Sequence, residues 1–91
     1  MVMCVRVKVR YFARFRDIAG VSEEEFDIPD DAKVKDLIEL IKKKHPKFND
    51  EIFEQNEEAD VNVSKNGRYV DFDEELREGD IIALFPPVSG G

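Results

Sequence analysis

The hydrophobic period changes once along this chain, and that change limits what it can fold into. Between Lys33 and Lys44, Val34, Leu37, Ile38 and Ile41 fall at i, i+3, i+4 and i+7, with Lys35, Asp36, Glu39, Lys42 and Lys43 largely elsewhere. That spacing predicts an amphipathic helix. Asp30 and Asp31 favour its N-terminus, and Lys42 to Lys44 lie where the helix dipole prefers cations, so the lysine run needs no ligand to explain it. His45-Pro46 closes it, and a lone His beside a helix end is a cap or a solvent group rather than a metal site. A single helix among strands covers one face of a mixed sheet, which makes a two-layer α+β domain.

The strands are legible around it. Val5, Val7, Val9 and Tyr11 alternate with Arg6, Lys8 and Arg10, which predicts a strand with one wet face and puts Cys4 in the polar phase. Ala13 to Gly20 reads as a connector, with Phe12 and Phe15 tucked beneath it. A second strand follows from Ser22 to Ile28, with Phe26 and Ile28 inward, and Pro29-Asp30-Asp31 ends it. Asn49 to Asp60 is polar and acidic and reads as a loop or short helix; its carboxylates lack the spacing of a calcium-binding loop. Val61 to Lys65 is a short strand, Asn66-Gly67 a hairpin turn, and Tyr69 and Val70 the return. After an acidic connection with Leu76 as its buried residue, Gly79-Asp80 turns into the last strand, Ile81 to Phe85. The predicted order is β-β-α-β-β-β.

That last strand is apolar in both phases, which suits a central position in the sheet. Arg6, Lys8 and Arg10 mark the outer sheet face as wet. Ile82 and Leu84 are therefore expected to form an apolar spot on it, which is either a docking site, together with Phe85, or a patch covered by nearby long side chains.

The sequence has 91 residues, 42% of them hydrophobic, seven of them Phe, and a formal charge of −7. This suffices for one domain with a small core. The acidic balance argues against nucleic acid as the main partner, since phosphate binding needs clustered cations. No apolar run approaches membrane-spanning length and no signal peptide is evident, so a cytoplasmic protein without a membrane partner is expected. A single cysteine fits a reducing compartment, and with only Arg6 as a local cation it is not read as catalytic. No phosphate loop, zinc spacing or serine elbow is present.

Any reactive group is thus expected at the end of the chain, Phe85-Pro86-Pro87-Val88-Ser89-Gly90-Gly91. Pro86 and Pro87 stiffen the exit, and Gly90 and Gly91 present a carboxylate on the least obstructed backbone available. Residues 1–85 then form the domain and residues 86–91 a flexible tail. Such a tail is either a frayed terminus or a slim tip suited to a narrow channel in a partner.

Tyr11-Phe12-Ala13-Arg14-Phe15-Arg16, Ala19-Gly20, Val34-Lys35-Asp36-Leu37, Asn66-Gly67 and Leu84-Phe85-Pro86-Pro87-Val88-Ser89-Gly90-Gly91 together resemble the small subunits of molybdopterin synthase. Those are sulfur carriers in the ubiquitin-like β-grasp superfamily. The resemblance implies a four- to five-stranded mixed sheet with one main helix and a Gly-Gly tail. It also implies that a ubiquitin-activating-type enzyme, using ATP and Mg²⁺, adenylates the Gly91 carboxylate, and that a sulfur donor converts it to a thiocarboxylate. The tail would then enter the synthase large subunit, with Pro86, Pro87, Val88 and Ser89 positioning Gly90 and Gly91, and donate sulfur to a cyclic pterin precursor in molybdenum or tungsten cofactor synthesis. On that reading the chain is not catalytic alone, binds no metal and holds no cofactor tightly. The same terminus would serve a protein modifier joined to lysines, or a carrier for another thiolation pathway. One departure is Lys33, where the family often has a Thr able to cap the helix, with Asp31 as the expected substitute.

Overall fold

The computed structural model describes residues 4–50 and 62–85. Alternation from Cys4 produces strand β1 (Cys4–Tyr11), with Val5, Val7, Val9 and Tyr11 buried and an exposed Cys4. The chain passes through α1 (Arg14–Ala19) and returns as β2 (Glu23–Pro29), antiparallel to β1. Helix α2 (Val34–Lys44) and a 3-10 turn (Pro46–Asp50) follow. The remaining strands are β3 (Asn62–Lys65), β4 (Arg68–Tyr69) and β5 (Ile81–Phe85). The sheet order is β2-β1-β5-β3-β4, with β5 central, parallel to β1 and antiparallel to β3. This is the mixed sheet with one main helix that the patterning predicts. The acidic stretch after Asp50, Val61 and the residues Pro86 to Gly91 lie outside the described residues.

The stripe of α2 (Val34, Leu37, Ile38 and Ile41) shares one core with Val7, Val9, Ile82 and Leu84 of the sheet, and Phe15, Phe48 and Leu76 close it. At about 1.5–3 kcal/mol for each fully buried aliphatic or aromatic side chain, this burial is the main stabilising contribution.

Two local features differ from the sequence expectation. The connector after β1 contains a helix, α1, which buries only Phe15. It begins at Ala13, whose φ of 53° is a left-handed value that no glycine marks in the sequence. The first turn of α2 is not capped by Asp31. Asp36 Oδ2 accepts the Lys33 N–H at 2.9 Å, while the N–H groups of Val34 and Lys35 donate to the carbonyls of Glu74 and Phe72, each at 3.0 Å. The loop before β5 thus satisfies the Lys35 N–H, a donor that a threonine at position 33 would otherwise take.

The Asn66-Gly67 turn has φ of 53° and 89°, the left-handed pair of a tight hairpin. Asn66 also ties that hairpin to the start of β5. Its Oδ1 accepts the Ile81 N–H at 2.9 Å, and its Nδ2 donates to Asp80 Oδ1 at 3.0 Å. Asp80, buried, also accepts the Arg77 N–H through Oδ2 at 2.8 Å, which fixes the turn into the last strand.

Candidate functional site

Strand β5 delivers the chain to its terminal segment, so the phase of its side chains decides what surrounds that segment's base. Ile82 and Leu84 are fully buried, which corrects the expectation that they form an outer docking spot. The reason is the register. Ile82 lies beside Val9 and Leu84 beside Tyr11 in the parallel β1–β5 ladder, and residues beside one another in a sheet share a face. A strand apolar on both sides carries no phase signal of its own. The outer residues are Ile81, Ala83 and Phe85, so Phe85 alone of the three expected docking residues is on the outer face.

Around Phe85 an apolar hollow of about 400 Å³ is lined by Phe12, Ser64, Ala83 and Phe85. Phe12 was expected under the connector, yet it is 41% exposed. Its N–H bonds to the Leu84 carbonyl at 3.1 Å, prolonging the ladder by one residue before the left-handed turn at Ala13 sends Phe15, rather than Phe12, into the core. The Phe12 ring meets Phe85 edge-on with centroids 6.5 Å apart, and Tyr69, 74% exposed on β4, lies 5.7 Å from Phe85 on the other side. Arg10 places its guanidinium 5.6 Å from the Phe12 centroid. Three aromatic rings thus gather where the chain leaves the sheet, on a face that has no other layer over it among the described residues.

The rest of the outer face is different. On β1 and β2, Arg6 pairs with Asp27 at 3.0 Å, and Lys8 and Arg10 each approach Glu23 at 3.7 Å.

On the helix side, sequence reading missed a second polar centre. Glu24, with a side chain only 11% exposed, accepts from Tyr11 Oη at 2.5 Å, from His45 Nε2 at 2.7 Å and from Lys44 Nζ at 2.8 Å. Burial alone would raise the Glu24 pKa, but the hydrogen bonds from Lys44, Tyr11 and His45 outweigh it and hold the carboxyl below its ordinary value. Tyr11 moves the opposite way: burial first, then its bond to Glu24, push the phenol well above its usual range. His45 is the C-cap of α2, its N–H donating to the Ile41 carbonyl at 2.8 Å, and its ring is held in this cluster rather than in solvent. The cluster pins the end of α2 to β1 and β2, and residues 21 apart in sequence gave no spacing signal for it. Among the described residues, no three His, Cys, Asp or Glu side chains converge as metal ligands. No helix among them is long and apolar enough to cross a membrane.

The expected site residues Pro86, Pro87, Val88, Ser89, Gly90 and Gly91 lie outside the described residues. What the structure gives for them is their point of departure, Phe85 at the centre of the sheet within the aromatic group.

Comparison with known proteins places this geometry in context. The model of the ThiS family matches residues 9–91. The molybdopterin synthase sulfur carrier subunit of Chlamydomonas reinhardtii is 35% identical, covering 96% of this chain and 100% of that protein. Small archaeal modifier protein 3 of Haloferax volcanii is 33% identical over the same shares. Among solved structures, a Pyrococcus furiosus protein with the provisional name molybdopterin converting factor, subunit 1, superposes with a TM-score of 0.87 at 59% identity, covering 92% of this chain and 99% of that one. A ubiquitin from Caldiarchaeum subterraneum, at 15% identity, TM-score 0.61 and coverage of 98% and 100%, shares the fold alone. The sheet and helix described above are those of the ubiquitin-like β-grasp.

Proposed function

The chain belongs to the ThiS family, and from that premise we propose that it is the small, sulfur-carrying subunit of molybdopterin synthase. The observation that carries this reading is positional. The segment ending Ser89-Gly90-Gly91 starts from the central strand beside an exposed aromatic surface, so one partner can grip the domain and receive the tail together.

The chemistry proposed for the tail follows from its end group. A carboxylate oxygen is a poor leaving group, and an adenylating enzyme of the ubiquitin-activating type would join the Gly91 carboxylate to AMP, releasing pyrophosphate from ATP·Mg²⁺. A persulfide sulfur from the donor system then attacks the acyl carbon and AMP departs. A thiol cleaves the resulting acyl disulfide, being oxidised to a disulfide as the Gly91 thiocarboxylate is released. In the large subunit this sulfur is delivered to the cyclic pterin precursor. Six residues follow Phe85, and at about 3.3 Å each a chain of that length spans at most roughly 20 Å when fully extended. Gly90 and Gly91 keep the tip slim, Pro86 and Pro87 lower the entropy lost on insertion, and Val88 and Ser89 hold the tip in register. Insertion makes the sulfur effectively intramolecular to its target. The domain, residues 1–85, contributes binding and orientation, with Phe12, Tyr69, Ala83 and Phe85 as its contact with the large subunit. The reaction as proposed is cytoplasmic and requires no cofactor bound to this chain.

The test is the intact mass of the protein after incubation with its activating enzyme, ATP, Mg²⁺ and a sulfur donor. The expected result is replacement of one oxygen by sulfur at Gly91, lost when large subunit and pterin precursor are added. A protein that an active cognate enzyme leaves unmodified would overturn the reading.

A second reading is favoured by the likeness to Haloferax volcanii modifier protein 3. The same activated Gly91 would be attacked by a lysine amine to form an isopeptide. Sulfur that forms on Gly91 but is never consumed by the synthase pair, together with covalent higher-mass adducts in cells, would establish it.

A further inference from the structure

The sheet has one long free edge among the described residues, and it lies away from the tail. Strand β2 is outermost on one side, while the other side ends in the two-residue β4. The ladder shows which of its backbone groups are free. Tyr11 donates its N–H to the Ser22 carbonyl at 2.9 Å, whereas Lys8 and Phe12 donate to Asp80 and Leu84 on the β5 side at 2.9 and 3.1 Å. Odd residues of β1 therefore bond toward β2, and through the pairs Val9↔Glu24, Val7↔Phe26 and Val5↔Ile28 they occupy Glu24, Phe26 and Ile28. Glu23, Glu25 and Asp27 direct their N–H and C=O groups outward, alternating along the strand as an added strand requires.

Two further observations say what that strand would be. The side chains of Glu23, Glu25 and Asp27 form an acidic row, and the strand already paired on the inner edge, β1, meets it with Arg6, Lys8 and Arg10 between valines. Where the edge meets α2, a hollow of about 400 Å³ is rimmed by Pro29, with Leu40 at its side, the carboxylates of Asp31, Asp36 and Glu39, and Lys43 as the one cation lining it. The hollow lies on the helix face and the acidic row on the outer face, so a strand whose apolar phase meets Leu40 and whose basic phase meets the row fits both. A second copy of this chain does not, since pairing β2 with β2 would set two acidic rows against each other.

We propose that the free edge of β2 docks an extended segment of a partner protein in which basic residues alternate with apolar ones, adding a sixth strand to the sheet. Two strand spacings, about 10 Å, separate this edge from β5. A partner seated there leaves the hollow at Phe12 and Phe85 open, so the domain can hold an edge partner and a tail partner at once. This goes beyond the sulfur-carrier reading and is independent of any chemistry at Gly91.

The test uses the full chain, ¹⁵N-labelled and unmodified, with a capped ten-residue peptide alternating valine and lysine, and a control peptide alternating valine and glutamate. The lysine peptide is expected to slow amide exchange at Glu23, Glu25 and Asp27 at least ten-fold at saturation, with Phe85 and Tyr69 unchanged and no effect from the control. Glu25→Pro, which removes the middle outward N–H, should weaken binding ten-fold or more. Should that variant fold poorly, Glu25→Lys, which sets an exposed cation into the acidic row, should weaken binding several-fold with a melting temperature close to the parent's. Equal binding of both peptides, protection elsewhere on the sheet, or full affinity in Glu25→Lys would overturn the proposal.

Discussion

The outer face of the sheet divides in two. Over β1 and β2 it is crossed by ion pairs between Arg6, Lys8 and Arg10 on one strand and Glu23 and Asp27 on the other. Over β5, β3 and β4 it carries Ile81, Ala83, Phe85, Tyr69 and, from the end of β1, Phe12. The two halves belong to one continuous hydrogen-bonded sheet, so backbone geometry does not separate them. Water does: the first half is satisfied in solvent as it stands, and the second gains by being covered. The tail departs from the second half. The comparison teaches that the strand leading into the tail is anchored to the core by one phase, Ile82 and Leu84, and open to solvent by the other.

The sharpest way to break this comparison separates chemistry from docking altogether. Deleting Gly91, or adding one residue after it, should abolish sulfur acceptance as measured by intact mass and leave the melting temperature nearly unchanged. A much lower melting temperature would make the tail a structural element instead. Next comes the contrast between adjacent residues of β5. Leu84→Glu places an unpaired carboxylate in the core, at a cost of about 4 kcal/mol or more, comparable to the whole stability of a small domain. Loss of the cooperative thermal transition is the expected outcome. Ala83→Asp, one residue away but facing outward, should melt close to the parent.

A smaller effect tests the helix-side anchor. Glu24→Gln should lower stability by about 1–3 kcal/mol, because Tyr11, His45 and Lys44 lose a charged acceptor. The pH dependence has a definite sign. A carboxyl whose folded pKa is depressed adds stability that is complete above its unfolded value, 4.5, and is lost as pH falls toward the folded value. Denaturant titrations of the parent should thus show stability falling below about pH 4.5, with a shallower fall in Glu24→Gln. Tyr11 acts at the other end: its raised pKa keeps the folded phenol protonated, so its contribution is complete below 10.0 and declines as pH rises above it. The smallest effect belongs to the ion-paired half of the face. Asp27→Asn should leave the melting temperature close to the parent's and the affinity for the synthase large subunit intact, since an exposed pair contributes little. A large loss of affinity there would erase the distinction between the halves.

Much of the fold was legible because it rests on period. Val34, Leu37, Ile38 and Ile41 specify a helix face, the valines of β1 specify a strand face, and Asn66-Gly67 specifies a turn. What escaped the sequence was set through space. The phase of β5 depends on its pairing with β1, which no property of Ile81 to Phe85 reveals. Phe12 and Phe15 look alike in sequence and are parted by a left-handed Ala13 that carries no glycine to announce it. The capping of α2 comes from the carbonyls of Phe72 and Glu74, nearly forty residues away, and the Glu24 cluster joins two strands and a helix end. Of the candidate site, the tail is proposed from its residue types and its likeness to a family, and it lies outside the described residues. Its surroundings were not legible, except for Phe85.

The measurement that tests the account most directly is the affinity of the Ala83→Asp variant for the synthase large subunit, by titration calorimetry beside the parent chain. A charge at the centre of the aromatic surface should weaken binding at least ten-fold with the melting temperature held. Undiminished affinity would mean that the partner grips some other part of the molecule, and the aromatic half of the face would lose the role given to it.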